Sequence, residues 1–270
     1  ESDPVTAGSP EPDDGLFDAQ VAATYDADVS VRFADDVLGP EVELLAELAG
    51  AGPVLEFAVG TGRVAVPLAE RGVEVHGSEL SQARGDVMQA KPGGDAIPTV
   101  VGDMATSRVP GEFSLVFLVF NTITNLLSQD AQVACFENAA RHLAPDGRFL
   151  IENGVPELRR LPPGQNLVPF DVSEDHIGID SYDTVTQRST SHHTFVRNGI
   201  AERFDSHHRY VWPSELDLMA RIAGLTLEHR WADWRRSPFT AESTSHVSVW
   251  RAGPRAPGDA QPTADSSVQT

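Results

Sequence analysis

The sequence predicts an α/β fold: a mostly parallel sheet with helices on both faces, carrying an antiparallel β insert in its C-terminal half. Three observations predict it. Between residues 41 and 152, apolar runs of strand length alternate with stretches of helical periodicity, and the runs are continuously apolar, as strands buried on both faces must be. The first run ends in Val59-Gly-Thr-Gly-Arg63, a glycine turn leading at once into helical sequence. From 177 to 211 the chain becomes polar, β-branched and aromatic without a helical stripe. Within it, Asn198-Gly199 is a hairpin signal, because both central residues of the matching turn need positive φ.

Taken in order, the apolar runs place strands at 54–58, 73–77, 97–101, 115–120 and 148–152, and the 3.6-residue periodicity places helices at 41–49, 63–70, 81–90 and 130–143. After the insert, Pro213 opens a helix to about residue 223 and Gly224 caps it; 225–231 and 246–250 read as two closing strands. Residues 1–16 are rich in Pro, Asp, Glu, Ser and Gly, and residues 253–270 are similarly polar and Pro-containing; both are expected to be disordered tails around one domain, 17–252, whose insert spans about 170–211.

Composition narrows the function. Forty acidic side chains against 20 basic ones give a formal charge of -20, which repels phosphate backbones and argues against a nucleic-acid partner. The longest apolar run, 113–120, falls short of the roughly 20 residues that span a bilayer. Cys135, the single cysteine, reads as a small buried apolar residue, and with no secretory pattern visible a cytoplasmic location is expected. Oligomeric state is left open.

The candidate ligand site gathers at strand ends, where open parallel sheets bind ligands. Gly60, Thr61, Gly62 and Arg63 form a turn that brings backbone close to a ligand and offers helix N–H groups. Glu79, seventeen residues beyond Gly62 and flanked by Leu80, can accept both hydroxyls of a ribose. Asp103 and Met104 offer an acceptor for an adenine amino group and an apolar contact for its ring. The loop alone also fits the dinucleotide pattern G-x-G-x-x-A, so a nicotinamide oxidoreductase is the rival reading. Glu56 argues against it: a carboxylate there meets a cationic ammonium well and opposes a pyrophosphate.

With Glu56 through Arg63, Glu79, Gly102-Asp103 and the late run Ser245-His-Val-Ser-Val249, the chain resembles a class I S-adenosylmethionine-dependent methyltransferase, over roughly residues 20–252. More closely it resembles actinobacterial small-molecule methyltransferases, including antibiotic sugar N-methyltransferases. The resemblance implies S-adenosylmethionine as cofactor and a Rossmann-like seven-stranded, mostly parallel sheet with a reversed last strand and an antiparallel β cap. It also implies a methyl transfer to N or O of a small-molecule acceptor. Ala58 stands where that family has glycine, and Asn125 stands about where its sugar N-methyltransferases have a histidine. Tyr25 matches the N-terminal helix that closes over the cofactor, or serves as an apolar anchor. Phe120 and Asn121, at the end of the fourth strand, are expected at the cofactor.

A base within reach of the acceptor would assist the transfer. In a two-residue hairpin about Asn198-Gly199, His192 lies opposite Asp205 and near His207, with His193 and His208 on the other face. His192, Asp205 and Asn125 are therefore the catalytic candidates, a solvated cross-strand pair being the alternative for the first two. Nothing in the spacing demands a metal. A cofactor-binding accessory protein without turnover is the remaining alternative.

Overall fold

The structure, a computed structural model, describes residues 34–197 and 199–253. Tyr25, Asn198, the segment 1–16 and all of 253–270 except Gly253 lie outside the described residues. The elements in chain order are α1 (Asp35–Ala49), β1 (Val54–Phe57), α2 (Ala65–Glu70), β2 (Val75–Glu79), α3 (Gln82–Gln89), β3 (Thr99–Val101), β4 (Phe113–Leu118), α4 (Gln129–His142) and β5 (Leu143–Gly154). Then come β6 (Leu167–Val172), β7 (His176–Asp183), β8 (Arg188–Arg197), β9 (Ile200–Arg209), α5 (Pro213–Ile222), β10 (Leu225–Trp231) and β11 (Ser245–Ala252).

Seven strands form one sheet in the order β10-β11-β5-β4-β1-β2-β3. Strands β5, β4, β1, β2 and β3 pair in parallel, and β11 enters antiparallel between β10 and β5. This is the sheet with a reversed last strand that the family resemblance implied. Apolar side chains leave both faces, so two cores form. Phe57, Phe136, Phe149 and Trp250 anchor one, and Leu45, Leu68, Met88, Leu115 and Phe117 the other. Among the described residues no helix is long and apolar enough to cross a membrane.

The insert is a separate four-stranded antiparallel sheet, β6-β7-β8-β9, beginning at Leu167 and so slightly before the expected boundary. Its β8–β9 register sets His192 opposite Asp205, as the hairpin arithmetic requires, and Gly199 holds φ +74° in the turn.

Several predicted boundaries move for local reasons. Strand β2 starts at Val75, because its ladder with β1 begins where Val54 N–H donates to the Glu74 carbonyl; it therefore carries Glu79 as its last residue. Strand β4 stops at Leu118, since Phe120 and Asn121 take left-handed φ values of 58° and 59° that no strand accommodates. Helix α2 begins at Ala65 instead of residue 63, because Gly60 and Gly62 keep the turn outside helical φ. Helix α1 starts six residues early and contains Pro40, whose missing N–H leaves the Asp36 carbonyl without its helical donor; Arg235 donates to that carbonyl instead, at 2.9 Å.

Candidate cofactor and acceptor cleft

A cleft of about 280 Å3 opens at the carboxyl ends of β1 to β4. It brings together Glu56, Ala58, Gly60, Thr61, Arg63, Glu79, Leu80, Asp103, Met104, Phe120 and Asn125, all candidates from the sequence. The turn after β1 shapes its floor. Ala58 and Gly60 both adopt positive φ, 52° and 59°, and the Lys91 ammonium donates to the Thr61 carbonyl at 2.7 Å, fixing the loop from outside.

Three carboxylates give the cleft its character. Glu79 is buried, and its two oxygens accept the Gly60 N–H at 2.8 Å and the Ser81 N–H at 2.9 Å, leaving lone pairs for further donors. Asp103 accepts the Ala105 N–H through one oxygen at 2.6 Å. Glu56 is only 3% exposed, and its Oε2 meets no hydrogen-bond donor among the described residues. Burial pushes the Glu56 carboxyl well above the usual range; Arg63 and the Ala65 N–H pull it down, while Glu41 and Glu79 push it up further.

Arg63 cannot fully neutralise this cluster, because Glu41 of α1 holds its guanidinium with two bonds of 2.7 and 2.9 Å. The same guanidinium lies over the Phe120 ring at 5.8 Å. Glu152, from β5, accepts the Phe120 N–H at 2.7 Å and so supports the strained turn after β4. A buried carboxylate oxygen with no donor costs free energy unless a cationic or hydrogen-bearing group covers it. A ligand with an ammonium near Glu56, two hydroxyls at Glu79 and a planar ring with an amino group at Asp103 fits this donor and acceptor set.

Some candidates do other work. Gly62 does not line the cleft; a Cβ there would meet Met88 Cγ at 2.6 Å, so its smallness lets α3 pack. Asn121 also stays outside, its Oδ1 accepting the Gly154 N–H at 2.6 Å and joining β4 to β5. His192 and Asp205 do pair, at 2.9 Å, but on the cap face away from the cleft, with both side chains substantially exposed. The sequence defined two cap faces without saying which one turns inward.

The inward face contributes His208, which lines the cleft beside Thr122, Asn125 and Leu126. Arg84 and Glu41 were also missed. Glu41 had left a signal: it interrupts the apolar stripe Leu38, Val42, Leu45 of α1, where a charge requires a buried partner.

Comparison with known proteins agrees with this geometry. Residues 54–147 match the methyltransferase domain family. The solved CcbJ methyltransferase from Streptomyces caelestis is 36% identical, with the similarity covering 90% of this chain and 100% of that one at a TM-score of 0.78. The chain belongs to the class I S-adenosylmethionine-dependent methyltransferases. A Streptomyces cypemycin N-terminal methyltransferase is 26% identical over 88% of this methyltransferase and 98% of its own length. CalS10, an amino pentose methyltransferase from Micromonospora echinaspora, shares the fold at 18% identity, 84% and 95% coverage and a TM-score of 0.63. The enzyme uses S-adenosylmethionine as its methyl donor, and the nicotinamide and accessory-protein alternatives give way.

Proposed function

We propose that this methyltransferase methylates an amine nitrogen of a small polar natural-product intermediate. The observation that carries the reading is the convergence of Glu56, Glu79 and Asp103 on one cleft, with a Glu56 oxygen buried and without a donor among the described residues. Glu56 receives the cofactor's α-ammonium, Glu79 its ribose hydroxyls and Asp103 its adenine amino group, with Met104 and Leu80 against the ring. When bound, S-adenosylmethionine supplies a methyl carbon on a sulfonium centre. The chain's task is then to hold the acceptor in line and exclude water.

Nitrogen is favoured over oxygen by the cleft's acidic character, which attracts a protonated amine. The N-terminal and amino-sugar substrates named for its relatives point the same way. Thr122 and Asn125 line the acceptor side.

Calorimetry tests the cofactor assignment. Charge-assisted hydrogen bonds are worth about 1.5–3 kcal/mol each, so Glu79→Ala should weaken S-adenosylmethionine binding by about a hundredfold or more with circular dichroism unchanged. Equal affinity in wild type and variant refutes the role of Glu79. Locating the added methyl by tandem mass spectrometry on oxygen would overturn the amine reading.

A further inference from the structure

The charges at the floor of the cleft are unevenly paired, and a residue outside the cleft decides the pairing. Glu41 of α1 does not line the cleft, yet it is buried and takes both terminal nitrogens of Arg63, which does line it. A guanidinium held fork to fork by one carboxylate is fixed in direction as well as balanced in charge. Two further carboxylates act on Arg63, those of Glu56 and Glu152. Glu152 is already engaged, accepting the Phe120 N–H at 2.7 Å. Glu56 keeps one oxygen open, its buried Oε2 meeting no donor among the described residues. Arg63 is thus held away from an open carboxylate by another that lies 22 residues earlier in the chain. The helix that carries Glu41 is itself tied down at both ends. Arg235 donates to the Asp36 carbonyl at 2.9 Å, and the Ser114 hydroxyl lies 2.9 Å from the Ala49 carbonyl.

We propose that Glu41 is a positioning residue that sets the ligand specificity of the cleft: by claiming Arg63 it reserves Glu56 for an ammonium, and so makes the site select adenosyl ligands that carry a free α-amino group. The proposal rests on the assignment of Glu56 to the cofactor's α-ammonium given above. Its physical basis is that a guanidinium stays charged at any ordinary pH and, once buried, must keep a carboxylate partner. With Glu41 neutralised, the carboxylate with an open oxygen is Glu56. An Arg63–Glu56 pair would then fill the place of the ammonium, and a ligand would have to displace a cation already neutralising its receptor. The balance at Glu56 agrees with this division. Arg63 draws its carboxyl down without cancelling the opposing effect of burial, as expected of a cation whose fork is committed elsewhere.

Calorimetry on the full chain with two probes tests the assignment. One is S-adenosylhomocysteine; the other is 5′-S-(3-carboxypropyl)-5′-thioadenosine, the same molecule with hydrogen in place of the α-amino group. Wild type should favour the first by roughly 10- to 100-fold, the worth of a charge-assisted hydrogen bond. In Glu41→Gln that preference should shrink to about threefold or less through weaker S-adenosylhomocysteine binding, while the deamino probe, which reports an intact site, stays within about threefold of its wild-type affinity. In Glu41→Gln/Arg63→Gln no guanidinium remains to occupy Glu56, and a preference of about tenfold or more should return. A merely structural pair would not give that recovery, because the second substitution would only add to the damage. A preference unchanged in the single variant, an equal loss of both probes, or no recovery in the double variant overturns the role of Glu41 and leaves the assignment of Glu56 standing. A wild type that binds both probes equally removes the Glu56 assignment itself. A further measurement needs no variant: nitrogen-15 NMR of arginine-labelled wild type should show distinct, unaveraged Arg63 Nη resonances both free and with S-adenosylhomocysteine bound. Their averaging on binding would mean that Arg63 leaves Glu41, which also overturns the proposal.

Discussion

Glu56 shows how one residue can set the conditions for binding. In the free protein, burial and the Glu41 and Glu79 carboxylates hold its carboxyl protonated to higher pH than usual, against the pull of Arg63. A cationic ammonium placed beside it favours the ionised form, so binding should expel a proton and S-adenosylmethionine affinity should rise with pH through the Glu56 range. Calorimetry in buffers of differing ionisation enthalpy should detect that release in wild type and none in Glu56→Gln; the same release in both would disprove the coupling. The linkage sign is definite. A folded pKa above the unfolded one contributes stability at low pH that is lost as pH rises through the folded value, so the Gln variant should gain thermal stability over wild type toward alkaline pH. The position of Glu56 was legible in the sequence as a carboxylate at the end of an apolar strand. The missing donor at its Oε2 among the described residues was not, because that depends on Glu41 claiming Arg63 from a helix 22 residues away in sequence.

At the scale of elements, the turn between β1 and α2 carries a cost. Ala58 holds φ +52°, a region where an L side chain loses roughly 1–2 kcal/mol, against the roughly 0.5–1 kcal/mol that glycine loses in conformational freedom on folding. Ala58→Gly should therefore stabilise the protein by about 0.5–1 kcal/mol, raising Tm by a few degrees at most for a domain of this size. A thermal melt in which Tm falls would show that the methyl group contributes packing that outweighs its strain. The sequence disclosed the alternation of strands and helices and the β8–β9 register, because each rests on local periodicity or turn chemistry, while the reversed closing strand came only as what the family resemblance implied. It did not disclose the early end of β4 or the face of the cap that turns inward. The first follows from the paired left-handed residues Phe120 and Asn121, held by Glu152 and Gly154 of β5; the second follows from how the whole cap sits on the body.

Across the whole molecule, the cap joins the body through a buried clasp. Arg209, next to His208, bonds Gln132 of α4 and Glu215 of α5; Gln132 in turn donates to the Ile123 and Arg209 carbonyls, and Gln187 donates to Glu215 at 2.9 Å. These bonds fix the root of β9 and so set where the inward histidine stands. The two halves of the main sheet differ in another way. Strands β1 and β2 find both partners within residues 54–118 and β4 finds its second in β5, whereas β5 gains its own second partner only from β11, about a hundred residues later. For a chain emerging from the ribosome, the strands bearing Glu56 and Glu79 can pair while β5 still waits with one edge bare, and every cleft residue, His208 included, has been synthesised before that edge closes. In pulsed hydrogen exchange during refolding, amide protection of Val54–Phe57 and Phe113–Leu118 should precede that of Ser245–Ala252. Simultaneous protection would mean that assembly waits on the final strand, and that the nascent enzyme remains open to aggregation and chaperone capture until synthesis is nearly over.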